Sequence, residues 1–320
     1  EDGIRDYKVT GVQTCALPIL SIHVYDLNTS KSEELNLGEY EYIPRVKWTN
    51  NPDLISIQKM NRHQNDLELI LYNAKENSSK ILIKETTNTY VDITDNLTFL
   101  SDNERFIWTS EKDGYNHIYL YNLDGTEINQ ITKGNWEVTS YKGYDEDSNT
   151  IFYISTETSP LDRMLYSINI DGTNKKQLSE KRGNNAANFS NGMKYYINYF
   201  SDANTPPYIS LHESNGKKIK MIKDNGLLQA TLIDYDLGPK EFFSFTTSEN
   251  VQLNGYMIKP IDFDSTKKYP VLMYVYGGPG SQTVENKWDR NLLWYQMLAQ
   301  KGYIVVSVDG RGDRKSTRLN

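Results

Sequence analysis

The residues whose types and spacing suit chemistry fall in two strings, Val275-Tyr-Gly-Gly-Pro-Gly-Ser-Gln282 and Val308-Asp-Gly-Arg-Gly312. A glycine-rich loop invites a phosphate-binding reading, but neither G-x-G-x-x-G nor Gly-Lys-Ser/Thr is present, and Pro279 removes a backbone donor. The competing chemistry is acyl transfer, in which Tyr276 offers its phenolic hydroxyl to a developing oxyanion, with Gly277 and Gly278 in support. The plain alternative is that Tyr276 is one more packed ring among 24 tyrosines. Asp309 and Arg311 read as loop-bracing charges rather than substrate contacts. Ser281 and Ser307 lack G-x-S-x-G context, and no histidine follows either, so neither reads as a nucleophile.

The elements that must position Tyr276 are legible around it. Longer apolar strands are predicted over 242–246, 253–258 and 271–276, then a helix over 288–300, a Gly302 stop and a strand over 303–308. Strand, glycine loop, helix and strand make the start of a βαβ unit, and the layout fits an α/β-hydrolase sheet, whose loop after the third strand contributes to the oxyanion hole.

Upstream the pattern is different. Tyr25-Asp-Leu-Asn-Thr29, Tyr72-Asn-Ala-Lys-Glu76, Tyr121-Asn-Leu-Asp-Gly125, Ile168-Asn-Ile-Asp-Gly172 and Leu211-His-Glu-Ser-Asn215 recur 47, 49, 47 and 43 residues apart. That period suits four-stranded propeller blades, because one twisted sheet cannot bury both faces while packed neighbours can. Within one unit, strands are expected at 96–100, 105–110, 117–122 and 127–132, with Asp124-Gly125 and Asp171-Gly172 supplying positive-φ turns. The count is about four blades and the tail of a fifth.

The remaining constellations are weak. Asp145-x-Asp147-x-Asn149 opens like a calcium loop, but Thr150 and Thr156 stand where glycine and a bidentate glutamate are needed. His23, His63, His117 and His212 are scattered without a second ligand at metal spacing and read as structural. No metal or cofactor is expected. Four Asn-x-Ser/Thr triplets, at Asn28, Asn77, Asn96 and Asn188, are chance occurrences in an asparagine-rich chain.

Composition agrees with a mainly β molecule. Of 320 residues, 12% are aromatic and 24 are tyrosine, which suits half-buried strand faces. A net charge of -7 argues against a nucleic-acid partner, and no apolar run approaches the roughly 20 residues that span a bilayer. The ends are foreign: 9–19 reverse-translates into one strand of a short-read sequencing adapter, and 313–320 into the other. Residues 1–19, with Cys15, and 313–320 are therefore excluded as artefacts. The rest divides into a partial propeller, 20–235, and the first part of a hydrolase domain, 236–312.

The two C-terminal strings, with Ser110-Glu-Lys-Asp-Gly-Tyr-Asn-His117 and Thr132-Lys-Gly-Asn-Trp-Glu-Val138, resemble the dipeptidyl peptidase IV branch of the prolyl oligopeptidase (S9) serine peptidases over about 20–312. The resemblance implies an eight-bladed propeller capping an α/β-hydrolase domain, and release of N-terminal dipeptides ending in proline or alanine from peptide substrates. It implies Tyr276 as the oxyanion tyrosine. It also implies an intact enzyme that is periplasmic, secreted or membrane-anchored, with a homodimer as one arrangement. The family's elbow serine, its aspartate and histidine, and its paired glutamates have no counterpart in this chain, so the chain alone is expected to be inactive. Another branch of the family and a non-catalytic, peptide- or protein-binding propeller scaffold are the rival readings.

Overall fold

The structure, a computed structural model, describes residues 21–27, 29–278 and 280–312. Both adapter-like ends, Cys15, Asn28 and Pro279 lie outside the described residues. The described residues form two compact units. One holds the chain up to Asp95 with 99–105 and 122–126, and the other holds 96–98, 106–121 and everything from 127 onward.

The first unit opens with a two-stranded hairpin, β1 (His23–Asp26) and β2 (Lys31–Glu34). A four-stranded antiparallel meander follows: β3 (Tyr42–Trp48), β4 (Leu54–Met60), β5 (Asp66–Asn73) and β6 (Ser78–Thr86). Its core packs Leu35 and Leu37, from the segment between β2 and β3, against Ile55 and Ile57, which share one face of β4, and Tyr72 of β5.

The next sheet contains β7 (Thr98–Phe99), β8 (Arg105–Ser110), β9 (His117–Asn122) and β10 (Glu127–Gln130). These fall where the sequence puts them, the outer pair being shorter than expected. The Asp-Gly turns form as read, with Gly125 at φ 90° and Gly172 at φ 84°. Asp124 secures the first by accepting from the Thr126 amide at 2.7 Å.

Two more meanders belong wholly to the second unit. They are β11 (Val138–Asp145), β12 (Thr150–Ser155), β13 (Met164–Asn169) and β14 (Lys176–Gln177), then β15 (Asn184–Phe189), β16 (Tyr195–Ser201), β17 (Tyr208–Glu213) and β18 (Lys218–Lys223). Phe152, Ile154, Leu165 and Leu178 of the former pack on Ala187 and Tyr196 of the latter. Among the described residues, four four-stranded antiparallel sheets and a two-stranded hairpin thus match the blade count predicted from the period. Tyrosines fill these interiors: Tyr72, Tyr119, Tyr153 and Tyr196 are almost wholly buried, and Tyr153 stacks on Tyr166 at 5.5 Å.

After a short helix, α1 (Gly226–Ile233), the sheet type changes. The strands β19 (Lys240–Thr246), β20 (Gln252–Ile258), β21 (Val271–Tyr274) and β22 (Ile304–Val308) form a mixed sheet in the order β19-β20-β22-β21. Strands β21 and β22 are parallel, Val271 opposite Ile304, joined through α2 (Leu292–Gln300). Leu292, Tyr295 and Ala299 of α2 lie on Ile258 and Val305, covering one sheet face. This is the first part of an α/β-hydrolase sheet following propeller blades. The helix begins four residues later than its apolar pattern suggests, because 288–291 is bound elsewhere: the Trp288 amide donates to Ser201 Oγ at 3.2 Å.

Candidate active site

Parallel pairing brings the C-terminal ends of β21 and β22 side by side, so the two chemistry-bearing strings meet. Tyr276 lies two residues beyond the end of β21 rather than on the strand, and it is 67% exposed. Gly277 has φ 69°, a conformation glycine adopts without strain. Gly278 passes so close beneath the Tyr276 ring that a Cβ there would lie 2.4 Å from Cε1. The tyrosine therefore folds back over its own loop, and its hydroxyl has no hydrogen-bond partner among the described residues. The Gly280 amide donates to Gly312 O at 3.0 Å, tying the two loops together.

Asp309 is buried beneath them. Its carboxylate accepts from the Thr283 amide at 2.9 Å, the Val284 amide at 2.8 Å and the Thr283 hydroxyl. Three donors on one carboxylate satisfy a buried charge and fix the chain just after the glycine loop. Arg311 is turned away from this cluster and pairs with Glu249 in the β19–β20 turn, where both are exposed. Ser281 donates its amide to Gly278 O at 3.2 Å. Ser307 is fully buried on β22, opposite Tyr256.

The glycine loop continues into a polar cluster that sequence reasoning missed. Arg163, immediately before β13 and buried, donates through Nη2 to Gln282 Oε1 at 2.5 Å and Glu285 Oε1 at 3.0 Å. Gln282 in turn donates to Pro160 O and Val284 O, each at 2.9 Å. The fully buried Asp162 accepts from Arg182 Nε at 2.7 Å and Asn286 Nδ2 at 2.8 Å. The signal was a charged pair, Asp162-Arg163, abutting an apolar strand; its partners Gln282, Glu285 and Asn286 lie about 120 residues away, beyond any local pattern. Nearby, the ammonium of the buried Lys240 sits 4.5 Å over the Tyr256 ring, and burial pulls its pKa below the usual lysine range.

The other flagged residues stay apart from this site. His117 is bound within its own blade by Thr132 and Gly134, and His212 by Ser210 and Gly216. Asp145 closes the β11–β12 turn by accepting from the Asp147 amide and the Ser148 hydroxyl. Among the described residues no group of three His, Cys, Asp or Glu side chains is arranged to hold a metal ion. No helix among them is long and apolar enough to cross a membrane.

Comparison with known proteins bears on this arrangement. Residues 12–207 match the family described as the dipeptidyl peptidase IV (DPP IV) N-terminal region. A solved structure of dipeptidyl peptidase 4 from Porphyromonas gingivalis superposes with a TM-score of 0.86 at 39% identity, covering 92% of this chain and 42% of that one. A structure described as a putative dipeptidyl aminopeptidase IV from Bacteroides ovatus gives 0.79 at 26%, covering 93% and 45%. A probable dipeptidyl-aminopeptidase B of Arthroderma gypseum is 30% identical over 92% of this chain and 34% of its own length. This chain thus spans about a third of that curated relative and under half of the solved structures. With more than half of its residues matching one family, and its blades and mixed sheet superposing on a dipeptidyl peptidase, the chain belongs to the dipeptidyl peptidase IV branch of the prolyl oligopeptidase (S9) family.

Proposed function

We propose that this chain supplies propeller blades and the oxyanion tyrosine of a serine dipeptidyl peptidase that releases Xaa-Pro and Xaa-Ala dipeptides from peptide N-termini. The observation that carries the reading is the exposed Tyr276 hydroxyl, held over a glycine loop at the C-terminal end of a parallel strand and free to meet a ligand. When an acyl carbon turns tetrahedral, its oxygen takes up negative charge. A donor already in place stabilises that charge without reorganising at the moment of reaction. Gly277 and Gly278 keep side chains out of the way, and Asp309 braces the loop from beneath. Arg311, paired with Glu249, has a bracing role at most.

The attacking group is not among these residues: the sequence holds no G-x-S-x-G elbow, and the 320-residue chain alone releases no dipeptide. The test uses the product of the uninterrupted gene with a Gly-Pro chromogenic anilide. Tyr276→Phe is expected to lower kcat by about 100- to 1000-fold with KM little changed. An unchanged kcat removes Tyr276 from the oxyanion role. A full-length product that neither cleaves the anilide nor reacts with a fluorophosphonate establishes the non-catalytic scaffold instead.

A further inference from the structure

Tyr276 has almost nothing of its own to hold it: it is two-thirds exposed, and the near neighbour of its ring is Gly278 of the same loop. A loop whose functional side chain is unsupported must take its position from its ends. On the strand side that end is β21. On the other side the chain runs into Gln282, whose amide group is engaged at both atoms, Oε1 accepting from Arg163 and Nε2 donating to Pro160 O and Val284 O.

Arg163 is itself buried and bonded through backbone and side chain. Its backbone N–H donates to Gly183 O at 2.8 Å, and its carbonyl accepts from the Asn185 amide at 3.0 Å and from Asn185 Nδ2 at 2.9 Å. Its guanidinium adds bonds to the Pro160 and Asp162 carbonyls, each at 3.0 Å. Four acceptors around one buried fork leave a single geometry for Nη2, and that nitrogen faces the loop. A lysine has no such fork, so the site selects arginine.

We infer that Arg163 is a positioning residue for Tyr276, acting from a propeller blade through Gln282, so that the blade sets the aim of the hydroxyl proposed to receive the oxyanion. The assignment of that hydroxyl rests on the function proposed above; the mechanical link from Arg163 to Tyr276 does not. It also explains why a glutamine closes the Tyr-Gly-Gly-Pro-Gly-Ser-Gln string: a side chain with an acceptor and a donor on one planar group joins guanidinium and carbonyl at once.

The link can be read in the 320-residue chain, with no need for turnover. With 3-fluorotyrosine installed at position 276, the 19F resonance reports the ring's surroundings, and amide hydrogen exchange reports the loop. Arg163→Met is expected to shift or broaden the 19F signal and to speed exchange at 281–286 at least tenfold. Exchange in β22 should stay within about twofold, and Arg163→Lys should restore only part of the effect. Gln282→Leu leaves Arg163 paired with Glu285, so it supplies the same readout if Arg163→Met does not fold. A 19F signal unmoved by either variant, or full rescue by lysine, overturns the inference. In the full-length product the expected companion is a fall in kcat with KM retained. A positive 19F result in a product without peptidase activity would sink the proposed function while leaving the link standing.

Discussion

At the scale of single residues, the most informative group outside the site is His117. It is fully buried in its blade, with Nε2–H donating to Gly134 O at 3.0 Å and Nδ1 accepting from the Thr132 hydroxyl at 3.1 Å. The Thr132 oxygen already accepts from the Ile118 amide, so its proton is free to point at the imidazole, and the neutral tautomer satisfies every atom. Burial lowers the His117 pKa below its ordinary value of 6.5. The unfolded chain then takes up a proton that the fold rejects, so this contribution is complete above the unfolded pKa and is lost as pH falls toward the folded one. We expect His117→Asn to cost about 1–3 kcal/mol near neutral pH. Its stability gap to the wild type should narrow between about pH 7 and pH 5 in urea titrations. A gap independent of pH would show that the folded blade tolerates the imidazolium.

At the scale of elements, backbone turns carry much of the precision. Gly125 combines φ 90° with a site where a Cβ would meet the Leu82 carbonyl oxygen at 2.5 Å, so strain and backbone clash coincide. Gly125→Ala should destabilise by about 1–3 kcal/mol. Gly192→Ala, with open space around it and no positive φ, should stay within about 0.5 kcal/mol in the same denaturation assay. Equal effects would mean that turn 122–126 relaxes freely.

These turns were legible because Asp-Gly between alternating strands has a local cause, and the strands of the 96–132 unit followed from the same local rule. What escaped was set by distance or by conflict. The helix α1 has Leu227, Ile233 and other apolar residues exposed all round, so no amphipathic period marks it. The start of α2 moved because Trp288 is tethered to Ser201. Asp162 and Arg163 reach Asn286 and Gln282 across more than 100 residues of sequence, a pairing that only the folded topology defines. Tyr276 itself was readable, since its loop chemistry lies within a few residues; its freedom from side-chain partners was not.

At the scale of the whole molecule, the mixed sheet has a face and an edge to manage. Leu272 points toward α2, which leaves Val271 and Met273 on the opposite side, more than half exposed, on the strand that ends the sheet among the described residues. Parallel sheets ordinarily bury both faces, and an uncovered apolar edge recruits other chains. The purified 320-residue chain should therefore associate as its concentration rises in sedimentation velocity. Met273→Lys should weaken that association while leaving the melting temperature within a few degrees. Association unaffected by the lysine would place the sticky surface elsewhere.

The buried tyrosines have a final effect of their own. In Tyr119, Tyr153, Tyr196 and Tyr256, burial raises the pKa well above that of a free phenol. Each is a latent anion that cannot form in place, so the folded state keeps protons that a loosened chain surrenders from about pH 10 upward. Strong alkali therefore acts on this protein as a denaturant: ionisation favours the release of each ring from the sheet that buries it.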